Sequence, residues 1–267
     1  MNSLLPNSMV NLLNIIKNYS EQNNMEYGRI LEDYFGFAYL GGDELRYQNT
    51  PPELMSFAAQ GVDGVHYGYV IHVPEMPRSD YPVGIFCPMD DEGVVLCGEN
   101  TVLALENLLS YQIDLNDYSG IEHKRLIKEL SKHNIKPTKA KANRMYDRRG
   151  NGKRIRPEIP NNYFYIQTSD GIGALAPKDT FSKSKLAKYD ISDVDIYDKF
   201  IIKSADAVKY DLYGDALYYL KELYWNNWMY NDKLNIISDL LYKVYKALNR
   251  EVFASIIKNG VDGTIRS

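Results

Sequence analysis

The chain has four histidines and two cysteines, and two of those histidines stand close together in GVDGVHYGYVIHVPEM, residues 61–76. Two chemistries can be drawn from them. An imidazole titrates near neutrality, so His66 with Asp63 three residues earlier could act as a general base, with His72 as a second titratable group. Alternatively, His66 or His72 could join Cys87 and Cys97 in a mixed Cys/His zinc site. Both depend on where the backbone sends these side chains.

Residues 65–73 read as a strand, and side chains alternate along a strand. His66, Gly68, Val70 and His72 then point to one face, and Val65, Tyr67, Tyr69 and Ile71 to the other. Six residues of extended chain separate the two histidines by about 20 Å, too far for one metal ion to take both. Cys87 and Cys97 fall opposite or diagonal to one another across a hairpin, with no necessary face in common with either histidine. Asp63 and Gly64 read as the turn entering the strand. There is no Walker phosphate loop, HExxH, GxSxG or strand-following GxGxxG. The expectation is no catalytic residue, no metal and no cofactor, with an enzyme built on Asp63, His66 and His72 kept as an alternative.

Apolar spacing predicts helices over residues 8–20 and 27–37, with Met9, Leu12, Leu13 and Ile16, then Ile30, Leu31 and Tyr34, on their inner faces. Short apolar runs bounded by Gly, Pro and Asp predict antiparallel strands from Glu53 to Ala58, Val65 to Val73, Val83 to Cys87 and Val94 to Cys97. PMDDEG, residues 88–93, is the hairpin turn between the last two. Asn100 should cap a helix carrying Val102, Leu105, Leu108 and Leu109. Ser119 and Glu122 form a capping box for a further helix, which Asn134 and Pro137 stop and a loop follows. Beyond that, residues 162–177 read as two strands around Asp170 and Gly171, and residues 197–203 as a third. Two helices close the chain, one with Leu217, Leu220, Leu223, Tyr224 and Trp228 on one face. The other runs from Ile236 to Leu248, with Asn259 and Gly260 as its stop signal. The predicted class is α+β: a mainly antiparallel sheet flanked by helices, with a mixed, helix-rich C-terminal part. The predicted division is 1–118 as an acidic α+β domain, 119–160 as a basic helix and linker, and 161–267 as short strands followed by two long helices.

Charge follows that division. Residues 1–121 hold 17 acids and 4 bases, a net −13, whereas residues 122–156 hold 3 acids and 13 bases, a net +10. The first stretch would repel nucleic acid; the second would bind polyanions or lie against the acidic first part. No apolar run reaches the roughly 20 residues a membrane-crossing helix needs. The first residues read as one amphipathic helix without a basic lead, unlike a secretory leader. With two cysteines only, a reducing compartment is expected. No membrane partner and a cytoplasmic location follow as expectations.

TPPELMSFA (50–58), GVDGVHYGYVI (61–71), YPVGIFCPMDDEGVVLCGENT (81–101) and a helix ending at LLSY (108–111) come in an order that resembles the SUKH superfamily. That group includes fungal cell-wall synthesis regulators and bacterial immunity proteins that neutralise toxins. The resemblance covers roughly residues 25–111. Where the family carries Leu-Pro before its first strand, this chain has Thr50, Pro51 and Pro52. The resemblance implies a sheet flanked by helices and function by protein binding, most simply of a basic nuclease toxin. Complementary charge would speed such an encounter. The expected contact surface comprises Glu53, Asp63, Glu75, Asp80, Asp90, Asp91 and Glu92, with Tyr69 and Tyr81 as aromatic anchors. The alternative is a nucleic-acid or polyanion-binding regulator using residues 122–156.

Overall fold

The computed structural model describes residues 6–40, 46–61, 64–89, 92–116, 120–146, 155–182, 194–226 and 231–261. Its centre is a five-stranded antiparallel sheet, β1 (Ala38–Tyr39), β2 (Leu54–Ala59), β3 (His66–Val70), β4 (Val83–Phe86) and β5 (Val95–Gly98), in simple sequential order. Every residue of β3 is buried, so both faces of the sheet are covered.

The expected alternation accounts for how the faces divide. Tyr67 and Tyr69 join Met55, Phe57 and Ile85 in the larger core, together with Met9, Leu12 and Ile16 of α1 (Asn7–Asn23) and Ile30, Leu31 and Phe35 of α2 (Tyr27–Phe35). Leu105, Leu108 and Leu109 of α3 (Thr101–Asn116) belong to the same core, which continues through Leu126 and Leu130 to C-terminal residues such as Leu217 and Leu241. The register slips between Ser56 and Ala58, and this bulge lets Phe57 and Ala58 both enter the helix-side core. Leu54, Val70 and Phe86 belong to a second cluster, where they meet Val94, Ile155, Ile172 and Trp225. The far face of the sheet is therefore covered by residues from beyond position 154.

Asn100 caps α3 as expected, its side-chain oxygen accepting the Leu103 N–H at 2.9 Å. α4 (Ile121–Lys132) buries His123, Leu126 and Leu130 and ends before Asn134, which adopts a left-handed φ of 64°. Ser119 of the expected capping box lies outside the described residues. The basic segment does not then continue only as loop: Lys139–Tyr146 form α5, with Thr138 supplying a side-chain acceptor for the Lys141 N–H. α5 packs along α3.

β6 (Tyr163–Ile166) and β7 (Ala174–Pro177) form the predicted hairpin around Asp170 and Gly171. The strand expected at 197–203 is instead part of α6 (Val194–Lys209). Tyr197, Phe200, Ser204 and Ala207 are buried at helical spacing while Ile202 in the same apolar run is exposed. After α7 (Tyr213–Trp225) come α8 (Leu234–Ala247) and α9 (Glu251–Val261), so among the described residues three helices follow α6 where two were expected in all. Asn249, at φ 60°, makes the break, and Asn259 and Gly260 sit inside α9. No described helix is long and apolar enough to cross a membrane.

Candidate functional site

The strongest concentration of chemistry lies inside the molecule, between the sheet and the C-terminal helices. Glu53 precedes β2, Asp170 sits in the β6–β7 loop and Lys221 lies midway along α7; each is no more than 3% exposed. The Lys221 Nζ is 2.6 Å from Glu53 Oε2 and 2.8 Å from Asp170 Oδ2. The Tyr245 hydroxyl of α8 donates to the other Glu53 oxygen at 2.8 Å. Burial acts to lower the Lys221 pKa, but the Asp170 and Glu53 carboxylates more than offset it and hold the ammonium above its ordinary value. Burial pushes the Tyr245 phenol up, and the Glu53 carboxylate adds to this, so it stays protonated as a donor.

The loop TSDGIG, residues 168–173, is built to hold Asp170. Asp170 Oδ1 accepts from the Thr168 hydroxyl and from the N–H groups of Ile172 (3.0 Å) and Gly173 (3.2 Å). Glu222, next to Lys221 on α7, accepts the Ser169 N–H at 2.9 Å and hydroxyl at 2.6 Å. Burial raises the Glu222 pKa, and these Ser169 hydrogen bonds pull against the rise. The backbone of this loop lies directly on the sheet edge: the Val94 N–H donates to the Asp170 carbonyl at 2.7 Å. Gly93 (φ 70°) and Gly171 (φ 82°) flank the contact, and a Cβ on either would fall within 2.6 Å of the opposing backbone. A second polar joint lies nearby. Arg250 donates to the Leu175 carbonyl at 2.7 Å and pairs with Glu75 at 3.4 Å, and the Tyr163 hydroxyl donates to Glu75 at 3.2 Å.

This placement corrects the expected acidic surface. Glu53 and Tyr69 are each 2% exposed and cannot meet a partner in this conformation. Tyr69 turns inward because strand alternation puts it among the helix-side aromatics, its ring centroid 4.9 Å from that of Phe57. Its hydroxyl lies 3.1 Å from Thr101 Oγ1, and burial raises its pKa. Asp80 is half-buried and serves the start of α3, accepting from the Thr101 hydroxyl at 2.6 Å, the Ser8 hydroxyl at 3.0 Å and the Tyr81 N–H at 2.8 Å. Negative charge there also favours the helix dipole. Tyr81 is half-buried, its ring edge-on to Tyr69 and its hydroxyl accepting the Arg78 N–H. Glu75 is committed to Arg250 and Tyr163. Of the described candidates Glu75 and Glu92 are exposed; Asp63, Asp90 and Asp91 lie outside the described residues.

The two histidines are not brought together. His66 is buried beside Tyr47 and Phe86, with Nδ1 donating to the Gly64 carbonyl at 2.9 Å and Nε2 facing the Thr50 hydroxyl at 3.4 Å. His72 donates from Nε2 to the Ile172 carbonyl at 3.0 Å, and burial lowers its pKa to about 4. Cys97 is buried, with Sγ against the Ala104 carbonyl, and Cys87 is half-buried. Among the described residues no three His, Cys, Asp or Glu side chains gather as a metal site would require.

The basic segment lies partly against the acidic first part. Glu106 of α3 pairs with Lys141 at 2.6 Å and accepts the Lys136 N–H at 2.8 Å, and Lys139 approaches Asp114 at 3.9 Å. Lys124, Arg125, Lys128 and Lys132 of α4 remain exposed.

Sequence reasoning missed Lys221, Asp170, Tyr245, Glu222 and Arg250 as a connected set. A signal for Lys221 existed: it stands within the apolar stripe Leu217, Leu220, Leu223, where a lone cation has no place unless it is paired. No family model matches the chain, and no curated protein matches it. The resemblance to SUKH domains rests on the residues quoted for it.

Proposed function

We propose that this is a noncatalytic binding module that captures a basic protein partner, in the manner of an immunity protein neutralising a nuclease toxin. The observation that carries the reading is where its carboxylates sit. Those of the interior, Glu53, Asp170 and Glu222, are consumed by internal partners, while Glu21, Glu26, Glu32, Glu92 and Glu99 of the strongly acidic first part are exposed. An exterior of that sign attracts a basic partner over distances comparable to the Debye length and selects against acidic ones. The contact is centred on the segment between β4 and β5, where Asp90, Asp91 and Glu92 follow one another in sequence.

Calorimetric titration of the whole chain against basic nuclease domains tests this. Asp90→Lys, Asp91→Lys and Glu92→Lys together should weaken binding at least tenfold at low salt, mainly through a slower association rate. Unchanged affinity would remove this segment from the interface.

The exposed row Lys124, Arg125, Lys128 and Lys132 favours a second reading, polyanion binding by α4. It predicts RNA or DNA affinity that falls steeply in a log-log plot against salt, and absence of binding at low salt excludes it.

A further inference from the structure

The geometry points to a self-formed amide bond between the side chains of Lys221 and Asp170, with Glu53 moving the protons. A lysine with two carboxylates at 2.6 and 2.8 Å is ordinarily a buried ion pair. Here two further features turn that pair toward reaction. Asp170 Oδ1 already faces three donors, the Thr168 hydroxyl and the Ile172 and Gly173 N–H groups, the arrangement that stabilises negative charge developing on a carbonyl oxygen. Asp170 Oδ2, by contrast, lies beside Nζ, so one oxygen is held for the charge and the other is placed to leave.

Glu53 is the less suitable electrophile, since its second oxygen receives the Tyr245 hydroxyl, against three donors on Asp170 Oδ1. It is well placed as a proton carrier instead. All three groups are buried, which excludes competing water; the proton must leave a stabilised ammonium, so the linkage forms slowly. Fixed proximity supplies much of what an intermolecular condensation lacks.

Nζ first passes one proton to Asp170 Oδ2, giving an amine and a carboxylic acid. The nitrogen lone pair then attacks Cγ, and the carbonyl electron pair moves onto Oδ1. Glu53 removes a second proton from nitrogen and delivers it to Oδ2; the Cγ–Oδ2 bond breaks, the carbonyl reforms, and one water leaves. The product is an amide, Glu53 is again a carboxylate, and no oxidant or co-reactant is consumed. The bond would tie α7 to the β6–β7 loop permanently.

Intact mass spectrometry of the denatured full chain reads this directly. The expected result is a mass below that of the sequence by one water, and a proteolytic digest containing a branched peptide that joins Lys221 to Asp170. Lys221→Arg keeps the cation but not the amine and should have the full mass. Glu53→Gln should accumulate the linked form at least tenfold more slowly. A wild-type chain of full mass overturns the proposal. So does a water loss mapped to a linear Asp-Gly peptide, which is the cyclic imide that sequence forms by itself, or a branch at Glu53. Equal linkage rates in wild type and Glu53→Gln would likewise overturn the proton-carrier role.

Discussion

Lys221 is the residue on which the interior charge balance turns. Removing it leaves Glu53 and Asp170 buried without their cation, the situation in which breaking a buried ion pair is most damaging. Relative to the unlinked chain, Lys221→Met should destabilise the fold by about 3–5 kcal/mol in urea titration, and adding Glu53→Gln and Asp170→Asn should restore part of that loss. His72 sets a pH dependence of definite sign. Its folded pKa of about 4 lies below the ordinary 6.5, because burial disfavours the imidazolium. The neutral ring's contribution is therefore fully present above pH 6.5 and is lost as pH falls from 6.5 toward 4, where the unfolded chain binds a proton that the folded one refuses. The loss amounts to roughly 3 kcal/mol across that window. His72→Gln should flatten this limb of the stability curve, measured by denaturant titration at successive pH values; an unchanged slope would show that other groups produce it.

Elements meet here through caps and close backbone contacts whose cost can be stated in advance. Asn100→Ala removes the acceptor for the Leu103 N–H and should cost about 1 kcal/mol of stability in urea titration. Gly171→Ala places a Cβ at 2.3 Å from the Val94 carbonyl oxygen on a left-handed backbone and should cost at least about 2 kcal/mol. Gly120→Ala, with open space around it but at the N-cap of α4, should cost no more than about 1 kcal/mol. These elements differ in how plainly the sequence announces them. Asn100 and the alternation through Tyr67 and Tyr69 are local signals, and both were legible. The run Phe200, Ile201, Ile202 suits either a buried strand or one face of a helix, and only tertiary packing decided for α6. Glu53 and Asp80 left the expected acidic surface for a related reason: whether either faces water depends on residues far along the chain, such as Lys221 and Tyr245, or Ser8 and Thr101. Charge counting locates carboxylates in sequence without saying which of them are already engaged.

At the scale of the molecule, the predicted boundary near residue 160 runs through a continuous set of buried contacts. Leu54, Val70 and Phe86 are covered by Ile155, Ile172 and Trp225, and Glu53 is paired by residues of α7 and α8. Denaturant unfolding followed by tyrosine and tryptophan fluorescence and by far-ultraviolet circular dichroism should give coincident single transitions. Residues 1–160 expressed alone should bind a hydrophobic dye and lack the sharp tertiary signals of the full chain; a well-folded fragment would contradict this mutual dependence.

The separation of 168 residues between Glu53 and Lys221 also sets a timetable for synthesis. At usual elongation rates the ribosome takes on the order of ten to thirty seconds to produce the cation after the anion. Throughout that interval the first half of the nascent chain holds an uncovered apolar sheet face and an unneutralised carboxylate. Its vulnerability to misassociation is thus greatest before α7 has emerged, and slowing translation between residues 60 and 221 would lengthen that exposure without altering a single contact of the finished protein.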